Sequence, residues 1–300
     1  MARIVCIGEA MLELSRPFGA AAEQGWSLGY GGDTLNTAIH LARAGHDVAY
    51  LTALGSDPLS ADLTARWSAE GLDVSLVQEH PARATGLYAI STDATGERSF
   101  SYWRESSAAR EMFALPGISA ALAAAEQADL IVYSLITLAI LPPDHCEQLF
   151  ALCRRVRDRG GKVAFDGNYR PRLWSSAQET RAARDAALAC ADIGLPTLED
   201  ETALSGETSA EAVAAHWAAQ GCDEVIVKLG AEGCRLPDGT IIPPPDVLRP
   251  VDTSGAGDAF NGGYLAARMA GSSIAEAAKS GHATAGWTIM RRGAIPPRDS

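Results

Sequence analysis

The segment Asp252-Thr253-Ser254-Gly255-Ala256-Gly257-Asp258-Ala259-Phe260 carries the strongest chemical signal in the chain. It follows a Pro-rich loop and opens a helical pattern over 259–270. Glycines just ahead of a helix let the backbone N–H groups of Gly255, Ala256 and Gly257 turn toward one point. With the helix dipole they make an anion site. Asp258 lies in the first helical turn, where the dipole favours the anion, so the position predicts an ionised carboxylate at neutral pH. A carboxylate beside such a hole suits phosphoryl transfer to an alcohol. The amides neutralise charge on the transferring group, and the carboxylate accepts the hydroxyl proton. The plain alternative is an Asp on a Gly-rich helix entry, with no chemistry attached. Two other nucleotide motifs fail on spacing: no Gly-x-x-x-x-Gly-Lys-Ser/Thr occurs, and a Gly-x-Gly-x-x-Gly reading breaks at Phe260.

Asp252 to Asp258 resembles the carboxy-terminal signature of the ribokinase-like (PfkB) carbohydrate kinases. The early Gly31-Gly32-Asp33-Thr34-Leu35-Asn36-Thr37-Ala38 resembles that family's first signature. The two stand in the family's order, roughly 220 residues apart, and the likeness covers almost the whole chain. It implies a ribokinase-like α/β fold, a mostly parallel central sheet flanked by helices with a small antiparallel β lid. It also implies ATP and Mg²⁺ as cofactors.

Four further segments resemble the branch whose substrate is the acid sugar 2-keto-3-deoxygluconate. They are Thr85-Gly86-Leu87-Tyr88, the stretch from Thr95 to Arg104, Asp166-Gly167-Asn168-Tyr169-Arg170-Pro171-Arg172-Leu173-Trp174, and Arg292-Gly293-Ala294-Ile295-Pro296-Pro297-Arg298. A carboxylate substrate needs fixed cations, and arginine suits planar, bidentate recognition. By resemblance Gly32, Asp33, Thr34, Leu35 and Asn36 approach the sugar. Tyr88, Tyr102 and Trp103 cover it, Arg104 meets its carboxylate, and Asp258 meets its terminal hydroxyl. Arg170 faces both substrate and phosphate. Asn168, Thr197, Lys228, Gly230, Gly233, Gly255, Gly257 and His282 fall to the nucleotide. The chain departs from the family at Thr197-Leu198-Glu199-Asp200, where Asn-x-x-Glu is usual, and at Leu135, Gly167 and Leu229. Two alternatives stay open: a fructokinase or other ketose kinase of the same family, which needs neither arginine, and a non-catalytic sugar-binding regulator.

These residues need a scaffold. Short apolar runs over 4–7, 48–52, 130–133, 163–165, 193–195 and 225–229 alternate with helical patterns over 34–44, 59–70, 143–159, 177–189 and 211–220. Two more helical patterns close the chain, over 255–271 and 274–290. Continuous apolar strands between helices indicate a parallel sheet covered on both faces. Segments of about 11–31 and 84–104 alternate polar and apolar residues instead, with Asp93-Ala94-Thr95-Gly96 as a turn and Gly19-Ala20-Ala21-Ala22 as a loop. They read as a small antiparallel sheet projecting from a single domain of 1–300, a lid rather than an independent unit.

Composition bounds the partners. Hydrophobic residues make up 47% of the 300, and the formal net charge is −12. That charge argues against nucleic acid or an anionic membrane. The six cysteines form no Cys-x-x-Cys pair and sit in apolar runs, which suggests reduced thiols in the cytoplasm. The N-terminus reads as a strand already beginning rather than a signal peptide, and no apolar run approaches a membrane span. The six histidines lack ligand spacing, so no protein-held metal is expected. Bare lid edges call for cover, and a homodimer packed through the lids is the expected assembly.

Overall fold

The computed structural model describes residues 2–16, 25–92 and 98–298; the 19–22 loop, the 93–96 turn and Glu97 lie outside them. In β1 (Arg3–Ile7) the side chains alternate between two cores: Val5 and Ile7 pack on one side, Ile4 and Cys6 on the other. Period-two alternation with both faces apolar is what a covered parallel sheet demands. The chain continues through β2 (Met11–Arg16), β3 (Ser27–Gly31), α1 (Asp33–Arg43), β4 (Asp47–Gly55), α2 (Pro58–Ala69), β5 (Val77–His80), β6 (Gly86–Thr92) and β7 (Arg98–Trp103). Next come α3 (Ile118–Ala125), β8 (Leu130–Ser134), α4 (Leu135–Ile140), α5 (Pro143–Asp158), β9 (Lys162–Asp166), α6 (Ala177–Leu188), β10 (Ile193–Gly194), α7 (Leu198–Ser205) and α8 (Ala210–Ala219). It ends with β11 (Glu224–Val225), β12 (Val227–Lys228), β13 (Cys234–Arg235), β14 (Ile241–Ile242), α9 (Ala256–Met269) and α10 (Ile274–Ile289).

The main sheet has seven strands in the order β11-β10-β9-β8-β1-β4-β5, every neighbouring pair parallel. The chain fills it outward from β1 in both directions, so the order reverses between β1 and β8. Outside the carboxyl ends of strands at such a reversal an open α/β sheet leaves its crevice. The four-stranded sheet β3-β2-β6-β7 stands apart. Its outer pairs are antiparallel, as expected, and the central β2–β6 pairing that joins them is parallel.

The expected strand over 225–229 is divided. It follows the edge of β10 as far as Lys228, whose N–H donates to Pro196 O at 2.8 Å. From Val227 its other edge pairs with β13, starting a three-stranded antiparallel sheet, β12-β13-β14. Helix α9 lies close on α1 and α10 because glycine faces both. A Cβ at Gly262 would stand 2.5 Å from the Cβ of His40, and one at Gly263 2.7 Å from Ser280 O. This close contact fixes the start of α9 against the start of α1, where the chemistry sits. Among the described residues no helix is long and apolar enough to cross a membrane.

Candidate active site

A cleft of about 2130 Å³ runs between the four-stranded sheet and the carboxyl ends of the main sheet. Pockets for one small molecule usually span roughly 300–1,000 Å³, so this one has room for two substrates side by side. At its floor begins α9, a helix of 14 residues. Gly255 caps it with φ 69°, and a side chain there would meet the Cβ of Ala294 at 2.5 Å. Left-handed backbone and crowding together require glycine. Gly255, Ala256 and Gly257 all line the cleft, as expected; the Ala256 amide also donates to Thr253 O across a long 3.3 Å.

Asp258 faces the cleft one turn into the motif, and Asn36 Nδ2 donates to its Oδ2 at 2.7 Å. Asn36 and Asp33 are three residues apart on α1, which places both on one helix face. Asn168 Nδ2 donates to Asp33 Oδ2 at 3.1 Å. Beside them Lys228 Nζ donates to Asp166 Oδ1 at 3.0 Å and to Asn261 Oδ1 at 3.1 Å. Thr34 and Leu35, expected near the sugar, turn the other way: Thr34 bonds the Tyr50 hydroxyl at 3.0 Å and Leu35 is wholly enclosed in the core. The physical reason is the helical period, which sends positions 34 and 35 away from the face of 33 and 36.

The protonation expectation for Asp258 also needs correcting. Although part of the residue is reachable from the cleft, the carboxyl lies where surrounding atoms strip its water. Burial, then Asp33, and also Asp166 push its pKa up to about 8, against the opposing pull of Asn36 and Lys228. Desolvation and two like charges outweigh the helix dipole. Asp33 is raised too, chiefly by burial.

The sheet above the floor presents one face. Its cross-strand row Glu13, Tyr88, Tyr102 is in register, with Phe100 one pleat further out. The Tyr88 hydroxyl donates to Glu13, and the Tyr88 and Phe100 rings lie 6.0 and 6.3 Å from that of Tyr102. Trp103 does not join them. It is 61% exposed on the opposite face, beside Leu12, Leu59 and Leu87, because adjacent strand residues point to opposite sides. Glu13 and Phe100 are cleft residues that the sequence reading missed; two-residue spacing from Tyr102 is the signal for Phe100, whereas Glu13 meets Tyr88 only through strand pairing, which carries no local signal. Arg104 lines the cleft from below Tyr102, buried and ion-paired with Glu9.

The remaining residues border the other end. Arg170 is half exposed, donating to Tyr169 O at 2.7 Å with Asp200 Oδ1 at 3.4 Å. Gly32, Thr197, Gly230, Gly233 and His282 also line the cleft. His282 Nε2 stands 2.9 Å from Ile242 O, and burial lowers its pKa, so the ring is a neutral wall. The cleft lining also includes Pro243, Val247, Leu248 and Trp287, none of which the sequence reading singled out. Two of the departures from the family pattern are packing matters. A side chain at Gly167 would meet the Trp217 ring at 2.8 Å, and Leu135 is enclosed in the core. Leu229 packs partly buried against the core, its N–H donating to Gly233 O at 2.8 Å.

The whole chain, residues 1–300, matches the pfkB family carbohydrate kinase pattern. It is 44% identical to the 2-dehydro-3-deoxygluconokinase of Escherichia coli K12, over 99% of this chain and 98% of that one. It is 43% identical to the enzyme of the same name from Dickeya dadantii, over 99% and 97%. Among solved structures it resembles the Vibrio cholerae O395 fructokinase in its fructose, ADP and calcium ion bound form, with TM-score 0.83 and 27% identity over 98% and 95% of the two chains. The seven-stranded parallel sheet, the small projecting sheet and the cleft between them are therefore those of a ribokinase-like kinase, and the chain belongs to the pfkB family of carbohydrate kinases.

Proposed function

We propose that the protein transfers the γ-phosphoryl group of ATP to the terminal hydroxyl of 2-keto-3-deoxygluconate (2-dehydro-3-deoxygluconate), giving the 6-phosphate and ADP. The observation that carries this reading is Asp258 beside the start of α9, in a cleft that also holds Arg104 and Arg170. Asp258 accepts the hydroxyl proton as oxygen bonds to phosphorus and the bond to ADP breaks. The amides of 255–257 face the charge on the transferring phosphoryl group. Asn36 orients the Asp258 carboxylate by its 2.7 Å hydrogen bond. Arg104 takes the sugar carboxylate, while Tyr88 and Tyr102 cover the chain of hydroxyls. Arg170 reaches toward both the sugar and the phosphates.

The nucleotide takes the end bordered by Asn168, Thr197, Lys228, Gly230, Gly233 and His282. Among the described residues no cluster of three His, Cys, Asp or Glu could hold a metal. Mg²⁺ usually keeps several waters and is bound through substrate phosphates with one or two carboxylates nearby. Asp166 and Asp200, which line the cleft, are the carboxylates that would hold it, and the ion would supply charge neutralisation on the phosphates. The projecting sheet acts as a lid on one domain, excluding water from the transfer. Two lids packed through their outer faces form a homodimer. Six unpaired cysteines support a cytoplasmic setting.

The deciding experiment is ADP release with Mg·ATP against 2-keto-3-deoxygluconate, its galacto epimer, fructose, ribose and no sugar. Selective turnover of the acid sugars is the expected result. Preference for fructose would leave Asp258 in place and overturn the roles given to the arginines. No turnover with any sugar would remove the kinase reading.

A further inference from the structure

Glu9 is a carboxylic acid in a place that costs stability. It is 2% exposed, and burial raises its pKa against the pull of Arg104. It lies between β1 and β2, where the chain first leaves the body for the lid. The lid joins the body at three other crossings, and Glu9 meets each of them. Its carbonyl oxygen lies against Gly32 at the turn from β3 into α1, so closely that any Cβ there would collide. Its Oε1 would stand 2.9 Å from a Cβ at Gly86, where β6 begins. Its carboxylate is ion-paired with Arg104 just after β7, and Ser107 adjoins it. One residue therefore meets all four crossings between lid and body: it forms the first, its backbone carbonyl meets the second, and its side chain meets the other two.

A buried ion pair is a poor way to gain stability. Apolar residues of the same volume usually serve as well or better, because two desolvated charges rarely recover their hydration. This pair is also incompletely served. Arg104 Nε and both Glu9 oxygens are buried without a well-aligned hydrogen-bond partner, as is Ser107 Oγ. Arg104 nevertheless lines the cleft, and the Tyr102 ring lies 6.0 Å from its guanidinium carbon. Glu9 thus holds the guanidinium by its Nη2 end on a residue that lines the cleft.

We propose that Glu9 is a positioning residue: it pins Arg104 at the lid hinge so that the guanidinium is set for the carboxylate of an acid sugar. Glu9 does not line the cleft and touches no reacting group; it acts only through Arg104. The inference rests on the role given to Arg104 above.

The test is a double-mutant cycle on the full chain. KM for 2-keto-3-deoxygluconate and for ATP is measured for the natural protein, Glu9→Gln, Arg104→Ala and the double variant, with thermal unfolding followed in parallel. Glu9→Gln should raise KM for the acid sugar about tenfold, on the scale of couplings between contacting residues, and leave KM for ATP unchanged. In the Arg104→Ala background the same change should add less than about twofold. Glu9→Asp, which keeps the charge with a shorter reach, should fall between, and it stands in if the glutamine variant does not fold. Equal effects of Glu9→Gln with and without Arg104 would overturn the inference, as would equal rises in both KM values. An Arg104→Ala enzyme with normal KM for the acid sugar would instead remove Arg104 from substrate recognition, and the positioning role with it. A raised KM for Arg104→Ala beside a normal one for both Glu9 variants would sink the positioning role alone.

Discussion

The floor of the cleft and its lid are built on different physical terms. On the floor, Asp258, Asn36, Asp166 and Lys228 sit at helix starts and strand ends, and each has a hydrogen-bond partner within 3.1 Å. Helices brought together by Gly262 and Gly263 leave these groups little freedom. On the lid, Phe100 and Tyr102 are 38% and 46% exposed, and their rings meet mainly each other and Tyr88. A transition state rewards groups held in place beforehand, whereas recognition can gather its contacts as a lid comes down. Mutations on the floor should therefore act on kcat, and those on the lid on KM for the sugar.

The sharpest break comes at Asp258. Asp258→Asn keeps the shape and the Asn36 contact but cannot take a proton. It should lower kcat by roughly 10²–10⁴ while KM changes little, the range for a lost general base. Steady-state rates suffice, and a near-normal kcat would take the base away from Asp258. Across the cleft, Arg104→Ala should raise KM for the acid sugar roughly 10- to 100-fold, the cost of losing one partner of a buried charge contact, with kcat and KM for ATP close to normal. If kcat fell as far as in the floor variant, the division between the two regions would be wrong.

A third, smaller effect is set by pH. Asp258 works only when ionised, and its pKa is pushed up to about 8 in the free enzyme. The rate constant kcat/KM should thus climb with pH through about 8 and stand about tenfold below its plateau at pH 7. Asp33 is the larger of the two like charges that raise this value. Asp33→Asn should shift the rising limb to lower pH, because a carboxylate relieved of a neighbouring anion ionises more easily. A limb that stays put would assign the titration to another group.

The sequence made the floor more legible than the lid. The α1, α5 and α10 boundaries fall within one residue of those the periodicity predicts, and those of α9 within two, since long amphipathic stretches carry their own signal. The motif over 252–258 holds its chemistry in consecutive residues, so it reads directly. Short elements did not: β5, α3, α4 and α7 are eight residues or fewer, too brief for a period to emerge. The raised pKa of Asp258 comes first from burial and then from Asp33 and Asp166, which lie far away in sequence and meet it only in the fold. Thr34, Leu35 and Trp103 are a different kind of miss. Their neighbours' roles were extended to them along the chain, although helix and strand geometry send adjacent side chains in different directions.

Tyr102 and Trp103 test that geometry most finely, because they are consecutive on β7 and face opposite ways. Tyr102 pairs with Tyr88 across the strands and looks into the cleft, with Arg104 beneath it. Trp103 pairs with Leu87 and looks outward, 61% exposed, over Leu12 and Leu59. Tyr102→Ala should raise KM for the acid sugar by a few-fold, as loss of one aromatic contact worth about 1 kcal/mol requires. Trp103→Ala should leave both KM values within about twofold, since an exposed side chain off the cleft has little to contribute there. If lids pair through their outer faces, the indole is an anchor of that interface, and sedimentation should show weaker association for Trp103→Ala and none of this for Tyr102→Ala. A Trp103 variant that loses sugar affinity while associating normally would mean that the outer face of the lid reaches the substrate after all, and the strand register would no longer separate recognition from assembly.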